Sequence, residues 1–292
     1  MFRILVADKL GLAGLRQLEE ESDVTVDVKT GLSKTELCSL IPAYDALLVR
    51  SSTQVDADLL SVAEKLRVIG RAGMGVDNID VAVATARGIL VMNTPGVNSI
   101  ATAEHTILLM LAAARHTAEA HQSVHQGEWR RSDFTGVQLY RKVLGLIGFG
   151  RIARHVAKRA RTFDMEVIAF DPYVSEEVGQ EMGIQLVDLE ELLAQADVVS
   201  LHASLSAETL HILNAETLAK TKAGVIIINP SRGQLVDEQA LADALVSGQV
   251  RAAAIDVYNE EPPGTDHPLI GLANVLHTPH LGASTEEAQR DV

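Results

Sequence analysis

Val143-Leu144-Gly145-Leu146-Ile147-Gly148-Phe149-Gly150-Arg151-Ile152-Ala153 decides the fold. Val143 to Ile147 is an apolar run that reads as a buried strand, the glycines that follow impose a tight turn, and a segment of helical period begins at Arg151. Gly148 permits the turn, Gly150 lets backbone approach a pyrophosphate, and Ala153 is the small residue required where helix meets strand. The first helical amides, at Arg151 and Ile152, then face the phosphates. The next strand, Glu166 to Phe170, ends at Asp171, about twenty residues beyond the turn. A carboxylate there accepts hydrogen bonds from an adenosine ribose and repels a 2'-phosphate, so the expected cofactor is NAD rather than NADP. The Arg151 side chain is placed to neutralise pyrophosphate charge. An unliganded glycine turn beside a surface acid is the plainer alternative, with Arg151 as an exposed helix-start cation.

Outward from this stretch, aliphatic runs alternate with helical patterns in both directions. Downstream lie Val198 to His202, Gly224 to Asn229, Ala252 to Val257 and Val275 to His277; upstream lie Ile4 to Ala7, Val24 to Val28, Ala46 to Val49, Val68 to Gly70 and Ile89 to Met92. Strands separated by helices require right-handed crossovers and parallel sheets, which predicts an α/β chain of two doubly wound domains. Asn93-Thr94-Pro95-Gly96 interrupts the pattern, and a long helix begins near Asn98 or Ser99. The expected division is residues 1–96 with 283–292, and 97–282. Ile107-Leu108-Leu109-Met110-Leu111 makes the long helix apolar around most of its circumference, so burial by the other domain or by a second subunit is expected. The reading is a homodimer or higher homo-oligomer.

With 47% hydrophobic, 22% charged and 3% aromatic residues over 292 positions, the composition is that of an aliphatic-rich globular chain rather than a disordered one. A formal charge of -14 opposes attraction to nucleic acid and to anionic lipid, so an anionic ligand needs a local cluster of cations. Cys38 stands alone and excludes an intrachain disulfide, its helical spacing suiting a packing thiol. The N-terminal residues enter a strand pattern directly, leaving no room for a secretory leader, and the longest apolar run, Ile107 to Ala114, falls short of the roughly 18 to 20 residues of a membrane span. The expected location is cytoplasmic. The ten histidines show no metal-ligand spacing. Trp129, the single tryptophan, reads as a packing anchor.

Three late segments each place polar residues after an apolar strand: Asn229-Pro230-Ser231-Arg232-Gly233, Asp256-Val257-Tyr258-Asn259-Glu260-Glu261-Pro262-Pro263, and Thr278-Pro279-His280-Leu281-Gly282. In parallel α/β folds the carboxyl ends of strands line the ligand crevice. Oxidising a small anionic hydroxy acid needs a cation for its carboxylate, a base for its hydroxyl proton and a partner for the base, and Arg232, His280 and Glu261 are those three types. Taken singly, each has a plainer reading: Arg232 as a surface cation, His280 as a capping residue, Glu261 as a solvated loop acid.

Across essentially the whole chain the sequence resembles the D-isomer-specific 2-hydroxyacid dehydrogenase family, and within it the members acting on 3-phosphoglycerate. The segments carrying the likeness are Gly70 to Asp80, Asn93-Thr94-Pro95, Gly148 to Ala153, Ser231-Arg232-Gly233, Glu261-Pro262 and Pro279 to Thr285. The resemblance implies a flavodoxin-like substrate-binding domain, a Rossmann NAD-binding domain, and a catalytic set of Arg232, Glu261 and His280. Arg232 would bind the substrate carboxylate bidentately. His280 would take the hydroxyl proton as hydride leaves, and Glu261 would orient the imidazole and favour its protonated form. It also implies His202 at the cofactor edge and Asp256 near the nicotinamide, each also readable as an ordinary strand-end residue. Arg50, Ser51, Arg71, Gly75, Val76 and Arg131 are the implied contacts of a phosphorylated 2-hydroxy or 2-oxo acid, Arg131 reaching a partner subunit's site; surface arginine is the alternative for each cation. The implied reaction is oxidation of 3-phosphoglycerate to 3-phosphohydroxypyruvate, in serine biosynthesis. Hydroxypyruvate or glyoxylate reduction is an alternative, and so is a non-enzymatic NAD-sensing, corepressor-like role. The chain departs from the family pattern at Ala153, Ser204 and Arg141, which bears on the loops of the adenosine side.

Overall fold

Branched aliphatic residues resist helix and suit the pleat, and the runs that contain them form parallel strands. The computed structural model describes residues 1–292, the side chains of Leu12 and Ala13 excepted. They divide into two compact units, residues 1–98 with 283–292, and residues 99–282.

In the first unit β1 (Phe2–Val6), β2 (Val24–Val28), β3 (Ala46–Val49), β4 (Val68–Arg71) and β5 (Leu90–Asn93) pair in the order β2-β1-β3-β4-β5, all parallel. This is the flavodoxin-like order, with its switch point between β1 and β3. Helices α1 (Leu12–Glu19), α2 (Lys34–Leu40), α3 (Ala57–Val62) and α4 (Val81–Ala86) make the crossovers. Three of them begin with side-chain caps: Ser33 in a capping box with Glu36, Asp56 on the Leu59 amide and Asp80 on the Val83 amide. Leu47, Val49, Leu59, Leu60 and Ile69 are fully covered, each contributing about 2 kcal/mol by burial. Cys38 lies on α2, partly buried against the same core.

The second unit starts with α5 (Ser99–Arg115) and α6 (Thr117–His125). Its sheet is built from β6 (Val143–Ile147), β7 (Glu166–Phe170), β8 (Gln185–Leu186), β9 (Val198–Leu201), β10 (Val225–Asn229), β11 (Val250–Ile255) and β12 (Val275–His277), in the order β12-β11-β10-β9-β6-β7-β8. Every pair is parallel, and the order reverses at β6, as in a Rossmann sheet. Helices α7 (Arg151–Ala160), α8 (Glu176–Met182), α9 (Leu189–Gln195), α10 (Ala215–Ala219) and α11 (Glu238–Ser247) pack with α5 on the sheet, while α12 (Glu286–Asp291), capped by Thr285, belongs to the first unit. Two apolar layers sandwich the sheet, with Leu144, Leu146, Ile226 and Ile228 in one and Ile147, Val199, Ile227 and Ala253 in the other.

Within the chain α5 is covered on one side: Leu109, Met110 and Ala113 are buried, whereas Leu108 is 59% exposed. Two expectations need correction. Trp129 is 82% exposed, so it packs no core within the chain. The strand placed at Ala252 to Val257 begins earlier, at Val250, because pairing to β10 carries it past the polar Arg251. No helix among the described residues is long and apolar enough to cross a membrane.

Candidate active site

The second unit's site begins at the switch point of its sheet. β6 ends at Ile147, and Gly148 turns the chain at φ +88°, where a Cβ would lie 2.5 Å from the Ala203 amide nitrogen. Only glycine fits both demands. At Gly150 a Cβ would meet nothing within 4 Å, so that backbone is open to an approaching group. No side chain caps α7 at Gly150, which leaves the amides of its first turn, Arg151, Ile152 and Ala153, without helical acceptors. Open backbone and uncapped amides fit a pyrophosphate. Asp171 follows β7; one carboxylate oxygen accepts the Phe149 amide at 2.8 Å and the other the Tyr173 amide at 2.9 Å. Each oxygen keeps a lone pair for a ribose hydroxyl. His202, after β9, hydrogen-bonds the buried Ser200 hydroxyl at 2.9 Å, and burial pushes its imidazole pKa down to about 3, so the ring is neutral.

Arg232 is shaped by the turn after β10. The Asn229 side-chain oxygen accepts the Ser231 amide and its amide group donates to the Arg232 carbonyl, while the Ser231 hydroxyl donates to the Ala203 carbonyl at 2.9 Å. Gly233 comes next, where any Cβ would overlap the Tyr258–Asn259 peptide, so the arginine turn lies flush on the loop after β11.

That loop starts with Asp256, which is fully buried. Its carbonyl accepts the His280 amide at 2.8 Å, and its two carboxylate oxygens accept the Leu281 amide at 2.8 Å and the Gly282 amide at 2.9 Å. Thr278 donates its hydroxyl at 2.5 Å, and Nε2 of His105, on α5, lies at 3.1 Å. Burial works to raise this carboxyl's pKa, but His105, Thr278 and the Leu281 amide outweigh it and hold it below the ordinary value. Three successive amides gathered on one residue, two of them on its carboxylate, keep His280 at φ +54°, a conformation that costs an L-residue about 1 to 2 kcal/mol and that these bonds offset.

With its backbone pinned, the His280 ring places Nδ1 2.8 Å from Oε2 of Glu261, whose Oε1 accepts the Tyr258 amide at 3.2 Å. Burial tends to raise the Glu261 pKa; the hydrogen bond and charge of His280, with the Tyr258 amide, bring it below the usual carboxylate range. An ionised carboxylate only accepts, so Nδ1 carries the proton and Nε2 of the neutral ring is left with a lone pair. β10, β11 and β12 are neighbours in the sheet, so Arg232, Glu261 and His280 project from loops at one edge. The ability to take a proton at Nε2 belongs to this edge, whose loops also carry Arg232.

In the first unit, Arg50 follows β3 and Arg71 ends β4, and both line a cavity of about 340 Å³ with Ala72, Asn93 and Thr94. A Cβ at Gly73 would overlap Nη1 of Arg71, so the glycine leaves room for the guanidinium against the backbone. Ser51 is exposed, and Gly75 and Val76 are half-buried. The sequence reading missed what holds this loop: Asp8 accepts the Arg50 amide at 2.6 Å and the Thr53 amide and hydroxyl, while Asn78 donates to the Arg50 and Thr53 carbonyls. Arg131 lies in the second unit, exposed at the start of a short 3-10 helix. No group of metal-ligating side chains occurs among the described residues.

Residues 107–282 match the model of the D-isomer specific 2-hydroxyacid dehydrogenase NAD-binding domain. The chain belongs to this family. Among curated relatives, the D-3-phosphoglycerate dehydrogenase of Methanocaldococcus jannaschii is 52% identical over 291 residues, and that of Archaeoglobus fulgidus is 47% identical over 290. Each alignment covers 99% of this chain and 55% of the relative, so the chain spans about half the length of the curated relatives it matches. A solved glyoxylate reductase from Paecilomyes thermophila superposes with a TM-score of 0.90 at 33% identity, covering 99% of this chain and 91% of that one. The family's cofactor is NAD, in agreement with the open glycine turn and Asp171 of this member.

Proposed function

We propose that this chain transfers a hydride between NAD and C2 of a D-2-hydroxy acid, with 3-phosphoglycerate as the favoured substrate and 3-phosphohydroxypyruvate as its product. The observation that carries the reading is the 2.8 Å contact of Glu261 with His280, made on the sheet edge that also bears Arg232. Residues 99–282 act as the cofactor domain, where Gly148, Gly150, Arg151 and Ile152 hold the pyrophosphate, Asp171 the ribose, and His202 and Asp256 border the site. Bound NAD supplies the hydride acceptor. Arg232 holds the substrate carboxylate in a two-point grip, His280 Nε2 receives the hydroxyl proton, and Glu261 stabilises the imidazolium that results. Arg50, Ser51, Arg71, Gly75 and Val76 of the first unit, with Arg131, receive the phosphate and carboxylate; Arg131 does so in a partner subunit of a homo-oligomer. The curated relatives' names support the phosphorylated substrate.

The likeness to a glyoxylate reductase supports a second reading, reduction of glyoxylate or hydroxypyruvate, which needs the same three catalytic groups and no phosphate cluster. One panel separates them: NAD-coupled turnover of 3-phosphoglycerate beside lactate, glycerate and 2-hydroxyglutarate, with hydroxypyruvate and glyoxylate run in the reducing direction. Phosphoglycerate should lead in kcat/KM, and Arg50→Ala should raise its KM by about tenfold while leaving glyoxylate unaffected. An unchanged KM would remove the phosphate assignment, and tight NADH binding without turnover of any acid would favour an NAD-sensing role.

A further inference from the structure

The contact between Glu261 and His280 depends on where the loop after β11 lies, and that loop is anchored by groups that play no part in the chemistry above. Asn259 is exposed, yet its amide donates to Oε1 of Glu238 at 2.9 Å and its carbonyl accepts from the Gln234 side chain at 3.2 Å. Glu238 stands in the first turn of α11, where the helix dipole favours a carboxylate. Its Oε2 lies 3.0 Å from Nε2 of His267, close but not aligned as a hydrogen bond, and the two side chains are only 11% and 8% exposed. Nδ1 of His267 accepts the Leu269 amide at 3.3 Å, so the ring's proton sits on Nε2, turned toward Glu238. The same ring meets Tyr258 edge-on, with centroids 5.5 Å apart at 86°. Tyr258 is buried, its hydroxyl lies 3.0 Å from Nδ1 of His277, and its amide is the donor to Glu261.

These contacts close a circuit: Glu238 to the Asn259 amide, Glu238 to His267, His267 to the Tyr258 ring, and the Tyr258 amide to the catalytic-site carboxylate. We infer that Glu238 is a positioning residue, held by His267, that fixes the Tyr258–Asn259 segment and thereby keeps the Glu261 carboxylate against Nδ1 of His280. Removing the Glu238 carboxylate releases the Asn259 amide and takes away the carboxylate that faces the buried Nε2 of His267, and the exposed segment is then free to carry Glu261 off the imidazole. The inference rests on the dehydrogenase reading only for its kinetic readout; the geometry it concerns is measurable without turnover.

The test compares the parent chain with Glu238→Ala, Glu238→Gln, Glu261→Gln and the double variant Glu238→Ala/Glu261→Gln. Proton NMR follows the downfield Nδ1–H resonance of His280, assigned by its loss in His280→Asn, and steady-state kinetics are run alongside. The resonance should disappear in Glu238→Ala and persist in Glu238→Gln, whose amide oxygen still accepts from Asn259. Turnover should fall about tenfold in kcat in Glu238→Ala, with KM for NAD unchanged, and recover to within about threefold in Glu238→Gln. In the double variant the loss should be no larger than in Glu261→Gln alone, because both changes act through one carboxylate. Multiplying losses, or an intact resonance in Glu238→Ala, would overturn the inference. An intact parental resonance without turnover by the parent chain would instead overturn the dehydrogenase reading, leaving the NMR comparison to decide the role of Glu238.

Discussion

At the end of β1, Asp8 holds the loop that follows β3, its neighbour in the sheet; at the end of β11, Asp256 holds the loop that follows β12, again its neighbour. The shared geometry comes from parallel pairing, because strands about 4.8 Å apart bring a carboxylate at one carboxyl end within reach of the next loop's amides. The two clamps differ in what they leave free. Asp8 fastens the two ends of its turn, Arg50 and Thr53, and leaves Ser51 and Ser52 between them exposed. Asp256 takes the consecutive amides of residues 280 to 282 and adds Thr278 and His105. On the proposed reading, a loop that meets a guest with side chains tolerates slack at its crown, whereas a loop that must aim one imidazole lone pair does not.

The comparison is broken most severely by Asp256→Ala. Four donors lose their acceptor in a buried place, and the expected cost is about 4 kcal/mol in chemical denaturation, with collapse of turnover. A loss near 1 kcal/mol would mean that the 278–282 loop is held by something else. Asp8→Ala is expected to cost about 2 kcal/mol and to act on KM for the anionic substrate rather than on kcat, since the Arg50 backbone is what it releases. Equal effects of Asp8→Ala on kcat and KM would erase the distinction between the clamps. The smallest effect is in acid. The folded pKa of Asp256 lies below its ordinary 3.8, so its stabilising contribution is complete above that value and is lost as pH falls through the lower, folded one. The stability gap between the parent and Asp256→Asn should therefore be flat above about pH 5 and narrow below about pH 4 in urea titrations; a gap that narrows already between pH 7 and 5 would assign the ionisation elsewhere.

Legibility in the sequence followed the range of the interaction. The strand, glycine turn and acid from Val143 to Asp171 are local, so their order alone specified them, and Arg232, Glu261 and His280 could be suspected because each follows an apolar run. β8, the two residues Gln185–Leu186, is too short to show any period. Asp8, Asn78, His105 and Glu238 gave no sign of themselves, because their partners lie 42, 28, 151 and 21 residues away and only the pairing of strands brings them together. Trp129 was misjudged for a related reason: a lone aromatic in a linker says nothing about which way it points.

Asp171 carries a consequence for redesign. The acid proposed to face the ribose also accepts the Phe149 amide inside the glycine turn. On that reading selectivity and cradle are wired together, and deleting the carboxylate to admit a phosphorylated ribose would unhook the turn proposed to grip the other end of the same nucleotide. A route to altered coenzyme preference through this chain runs by way of Asp171→Asn, which keeps an acceptor for Phe149 while surrendering the charge.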